Sequence, residues 1–235
     1  MRTNLGRQGR GQLCSGRESQ CQLSDRMHHA PFALTFAPMS AAKPTKQSLS
    51  LVKQLEHHAH ASDLRAFLEA LPASERTREV MSLRGGAVRK LYDLFATERV
   101  LTSAEVVPGG SSEVMIYEGR NSLALFSRFQ KRLIRIGDRI VGYNHQSMSL
   151  FTGPGYFVVK EADRALPHRG EVLFDYECDP LVPPFGWPRF RRNDTGLGVF
   201  KELKDYVRQV AFGVFVGKAY RGNIDLNAYF ALCRV

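Results

Sequence analysis

The feature that most restricts the fold is a series of strand-like segments, from residue 113 to the C-terminus, that is not interleaved with helices. Segments 113–118, 139–145, 156–161, 171–177, 214–221 and 227–234 are rich in β-branched and aromatic residues, which suit a pleated, half-buried surface. The last two flank Gly222-Asn223-Ile224-Asp225, a turn-forming stretch that predicts a closing antiparallel hairpin. A parallel nucleotide-binding sheet needs strand and helix to alternate. Here a single helix is expected in this region, capped by Asn193-Asp194-Thr195 and carrying Leu197, Phe200, Leu203, Val207 and Val210 on one face. The expected fold class is therefore α+β: a curved antiparallel sheet or partly open β-barrel, with one long helix before the closing hairpin. Phe157-Val158-Val159 and Phe215-Val216 are apolar on both faces, so one face should meet a core and the other should be covered by helices.

Ahead of that region the apolar spacing is helical. Leu49, Val52 and Leu55 form one stripe, Leu64, Phe67, Leu68 and Leu71 a second, and Val88, Leu91, Leu94 and Phe95 a third after Gly85-Gly86. Residues 46–99 are expected to form a small module of short helices. Residues 100–112, with Pro108-Gly109-Gly110-Ser111-Ser112, read as a polar linker to an antiparallel domain over 113–235. Residues 1–45 are rich in Gly, Ser, Gln, Arg and Pro and lack apolar periodicity. They are expected to be a disordered arm, with Met39 as an alternative start or the stretch as a transit segment.

The 235 residues carry a formal charge of +10 that is spread along the chain rather than gathered in one segment. Such a charge attracts nucleic acid and anionic surfaces non-specifically. No stretch approaches the roughly 18 to 20 apolar residues of a membrane-spanning helix. Cys14, Cys21, Cys178 and Cys233 suggest neither a disulfide framework nor a zinc site, and the expected setting is cytoplasmic. Nucleophile-elbow, phosphate-loop, zinc-protease and dinucleotide motifs are missing, so no cofactor or metal is implied. His57, His58 and His60 read as a polar helix end.

Polar residues within strand-like segments are the candidates for a site. Tyr143 and His145 alternate with Asn144 and Gln146, so one pair at most can line a given pocket. His145 is a natural general acid or base, with Tyr143 or Asp175 to assist. Asp175 lies within the apolar Leu173-Phe174-Asp175-Tyr176 and needs a partner or a cavity. Glu177 and the acid after Cys178 disfavour a thiolate there. Two basic clusters remain: Arg128, Lys131, Arg132, Arg135 and Arg139, read as solvated charge, and Arg189, Arg191 and Arg192, which follow Trp187 and could hold an anion.

Two stretches, Ser127-Arg128-Phe129-Gln130-Lys131-Arg132-Leu133 and the hairpin formed by Val216-Gly217-Lys218-Ala219-Tyr220 with Tyr229-Phe230-Ala231-Leu232, resemble the bacterial family of small lipocalin-like barrels named for a G-x-W-x-G motif. That motif is absent, since Glu118-Gly119-Arg120-Asn121-Ser122 has no tryptophan. The resemblance implies a barrel and transfers no functional residue.

The leading expectation is a non-catalytic binding domain for a small, largely apolar ligand, with Tyr143, His145, Tyr156, Asp175 and Trp187 at the pocket. The alternatives are a small-molecule enzyme using His145 as acid or base, and a basic adaptor for RNA or an anionic membrane.

Overall fold

Alternation of inward and outward side chains gives the sheet two distinct faces, and pairing of its first and last strands closes it on itself. In the computed structural model the described residues are 49–57, 59–96, 101–109, 113–123, 127–145, 153–163, 165–166, 171–178, 184–188 and 198–235. All of them belong to one compact unit, Lys46–Val235. The expectations for residues 1–45 lie outside them.

Eight strands form a closed barrel in sequence order: β1 (Met115–Asn121), β2 (Arg128–Ile136), β3 (Arg139–His145), β4 (Tyr156–Glu161), β5 (Val172–Asp175), β6 (Leu203–Ala211), β7 (Val214–Arg221) and β8 (Ile224–Arg234). Every neighbouring pair is antiparallel, and β1 meets β8 from Tyr117 opposite Arg234 to Asn121 opposite Phe230. The barrel is thus closed rather than partly open, which leaves no unpaired edge.

The long helix expected before the closing hairpin does not form over this stretch, because from Leu203 onward the chain is strand β6. Leu203, Val207 and Val210 do recur at helical spacing, but strand alternation separates them. Leu203 and Val207 join the barrel interior, while Val210 joins the helices outside. Asp205, Arg208 and Gln209 would occupy the wet side of an amphipathic helix, yet all three are buried. The proposed cap at residues 193–195 lies outside the described residues. Strand β2 went unread because its charges masked its alternation: Phe129, Lys131 and Leu133 point inward, and Gln130, Arg132 and Ile134 point outward.

Helices α2 (Ala61–Ala70), α3 (Ala73–Ser82) and α4 (Gly86–Leu94) pack on the outer face of β6, β7, β8 and β1, and α1 (Leu51–Glu56) packs on α3 and α4. Their apolar stripes share one core with Val210, Val214, Val216, Tyr229, Ala231 and Cys233. Two arginines fasten this layer through carbonyls at helix ends, which lack partners within the helix. Arg120 Nε donates to Leu83 O at 2.8 Å, and Arg208 Nη1 donates to Tyr92 O at 2.9 Å with its guanidinium 4.0 Å from the Tyr92 ring centre. The stretch expected as a linker is likewise packed: α5 (Ser103–Val106) carries a Thr102/Glu105 capping box. Leu101, Val106 and Val107 plug one end of the barrel, where Tyr117 OH donates to Val106 O at 2.6 Å.

Three glycines sit directly opposite phenylalanines on the neighbouring strand: Gly119 with Phe129, Gly142 with Phe157 and Gly217 with Phe230. A Cβ at Gly119 or Gly142 would lie 2.6 or 2.5 Å from the facing ring. The rings therefore lie across the bare glycine backbone and fill the lumen. Gly217→Ala should displace the Phe230 ring and cost about 1–3 kcal/mol of overpacking. Urea denaturation checks this, and an unchanged midpoint would show that the ring is not held against Gly217.

Candidate functional site

The inward positions of β2, β3 and β6, together with Tyr176 just after β5, place Lys131, Asn144, Asp205 and Tyr176 among the aromatic and aliphatic side chains of the lumen. Lys131 is only 1% exposed. Its Nζ donates to Asn144 Oδ1 at 2.9 Å, Tyr176 OH at 2.5 Å and Asp205 Oδ2 at 3.1 Å, which uses all three ammonium protons. Tyr176 OH donates in turn to Asp205 Oδ2 at 3.0 Å, and Asn144 Nδ2 donates to Tyr176 OH at 3.0 Å and to Gly155 O at 3.4 Å. The rings of Phe129, Phe157, Phe174, Tyr176 and Phe230 surround the ammonium with centres 4.7 to 5.6 Å away. Burial pushes the Lys131 amine below its usual range while Asp205 holds it up. Burial, reinforced by Asp205, pushes the Tyr176 hydroxyl well above its usual range, so it remains a neutral donor.

Above this network a cavity of about 270 Å³ opens at the barrel end opposite α5. Asn144, Tyr176 and Asp205 reach its floor, and Phe129, Leu203, Ala219, Leu226, Ala228 and Phe230 contribute apolar wall. Phe200 stacks on Tyr176 with ring centres 5.4 Å apart, and Arg221 stands at the rim.

None of the five residues expected at the pocket lines this cavity. Tyr143 and Tyr156 are paired across β3 and β4 on the outer face, opposite in direction to Asn144 and Phe157. Trp187 covers them, with ring centres 4.6 Å from Tyr143 and 6.2 Å from Tyr156, and Tyr156 OH donates to Pro188 O at 2.5 Å. His145 is exposed at the end of β3, its ring centre 6.2 Å from that of Tyr143. Slight burial and the neighbouring Arg132 guanidinium lower its pKa. Asp175 also faces outward, ion-paired to Lys160 at 2.9 Å. Burial alone would raise its carboxyl, but hydrogen bonds from Lys160, Cys178 and the Glu177 amide hold it below its usual range. So the structure gathers Tyr143, His145, Tyr156 and Trp187 outside the barrel and leaves Asp175 with other partners. Arg189, Arg191 and Arg192 lie outside the described residues.

The members of the lumen network were missed for identifiable reasons. By sequence Lys131 falls in a basic cluster that reads as solvated, Asp205 falls in a stretch with helical spacing, and Asn144 alternates with Tyr143 and His145, the stronger candidates. The available signal was parity: Phe129, Lys131 and Leu133 share one face of β2, so the lysine follows the phenylalanine inward. Comparisons with family models, with curated proteins and with solved structures find no match.

The buried pair should behave as a unit. Asp205→Ala leaves an ammonium without its counter-charge and should cost about 3–5 kcal/mol, whereas Lys131→Met/Asp205→Leu should recover most of that loss. Chemical denaturation of both variants checks this, and equal losses would show that an uncompensated ammonium is not the source of the cost. A separate expectation concerns alkali. Burial, then Tyr143, raises Tyr156 from 10.0 to about 12. The folded state therefore keeps a proton that the unfolded state releases, and stability falls as pH rises from about 10 to about 12. Tyr156→Phe should flatten that part of the denaturation-midpoint profile relative to the parent.

Proposed function

We propose that the barrel binds a small, largely apolar molecule in the cavity at its open end. The observation that carries this reading is the cavity itself: an apolar wall that converges on the polar side chains of Asn144, Tyr176 and Asp205. Small-molecule sites commonly combine such a wall with a few polar groups that orient the ligand. The volume of about 270 Å³ lies near the lower end of the usual range for such sites, roughly 300–1,000 Å³, and suits a compact ligand. Plugging by α5 at the far end and the helical layer on one wall leave the lumen approachable from the Arg221 side.

The reading favours binding over turnover. His145 is on the outer surface, away from the cavity, and the Lys131 ammonium is saturated by its three acceptors. The resemblance to small lipocalin-like barrels fits the same reading through architecture alone.

Native and denaturing mass spectra of the full chain test it, in parallel with Ala228→Phe, which fills the cavity from β8. The expected result is a bound small-molecule mass in the parent that is lost on denaturation and strongly reduced in Ala228→Phe. A ligand-free parent whose melting temperature also fails to rise with neutral aliphatic alcohols would overturn the proposal.

A further inference from the structure

Resting on the reading of the cavity as a ligand site, we infer that its ligand enters with a neutral hydrogen-bond donor foremost, an alcohol or an amide N–H, and not with an anionic head. The inference comes from the two oxygens of Asp205. Oδ2 takes the Lys131 ammonium and the Tyr176 hydroxyl. Oδ1 accepts no hydrogen bond among the described residues, and it is not among the side-chain atoms sealed away without a partner. Since Asp205 lines the cavity floor, this oxygen is open to it.

The other polar groups at the floor are already committed. Tyr176 OH is held by Lys131, Asn144 and Asp205, and both sides of the Asn144 amide are engaged. What the floor offers is therefore an acceptor on a carboxylate. A donor meeting it forms a charge-assisted hydrogen bond, stronger than one between neutral groups. A carboxylate or phosphate there would face like charge in an enclosed, poorly solvated space, and the Lys131 charge behind it is already paired. Excluding an ammonium head rests on charge balance: Lys131 neutralises Asp205, so a second buried cation would carry its desolvation cost without a counter-ion of its own. An acid could enter only tail-first, with its head beside Arg221 at the rim.

Calorimetric titration of the full chain with octanol, octanamide and octanoate, at a pH where octanoate is ionised, tests this. Octanol and octanamide should bind at least about tenfold more tightly than octanoate, the size expected for a charge-assisted hydrogen bond set against repulsion. In Lys131→Met/Asp205→Leu the preference should shrink to less than about threefold, with circular dichroism confirming the fold. Arg221→Gln should weaken octanoate and leave octanol unchanged. Equal affinities in the parent would overturn the head-group inference and leave the ligand cavity standing. Selectivity that survives undiminished in the folded double variant would remove Asp205 as its source. If none of the three molecules binds, the inference and the cavity reading fall together.

Discussion

An ammonium ion enclosed by a barrel must be neutralised where it lies, and this requirement links strands from across the sheet. Removing Lys131 from water costs several kcal/mol, which one ion pair in isolation does not reliably offset. The chain supplies Asn144 from β3, Tyr176 from the end of β5 and Asp205 from β6, and surrounds the charge with aromatic faces. Each contact exists only if the strand bearing it keeps its parity. A slip of one residue in β6 would turn Asp205 outward and Tyr206 inward. The network thus selects one register among the apolar alternatives that β6 and β4, buried on both faces, would otherwise tolerate.

The aromatic lining depends in turn on backbone. Phe129, Phe157 and Phe230 approach the ammonium because each lies over a glycine on the adjacent strand. A side chain at those glycines would occupy the same space as the ring. Glycine ordinarily weakens a strand by its entropy and lack of packing, and here the opposing ring restores the packing. The outer wall follows a different rule. On β6, β7, β8 and β1 it is covered by the helices, whereas on β3 and β4 the segment carrying Trp187 covers Tyr143 and Tyr156.

Strand composition made the antiparallel β region, the short helices ahead of it and the closing hairpin legible in the sequence. Barrel closure was not, because it depends on pairing between β1 and β8, which are far apart in the chain. Strand β6 was misread because Leu203, Val207 and Val210 satisfy a helical period, and tertiary burial of Asp205 and Arg208 overrides that pattern. Alternation along β3 correctly separated Tyr143 and His145 from Asn144, but nothing local said which set faced inward. That choice is made by Gly142, whose bare face receives the Phe157 ring, and this pairing becomes visible only with the register of β4.

The same network also limits what chemistry the lumen can support. A buried lysine in an apolar site invites comparison with amine nucleophiles, which work as the neutral base. Burial does lower the Lys131 amine, but Asp205 opposes that shift, and the three acceptors engage all of its protons. Nor is Lys131 among the residues that line the cavity. Its role is to hold Asp205, Tyr176 and Asn144 in fixed orientation, so the carboxylate presents one oxygen inward to the protein and the other to the open end. A rigid acceptor beneath an apolar wall can orient a ligand without reacting with it, because its donors, charges and rotamers are already engaged before the ligand arrives.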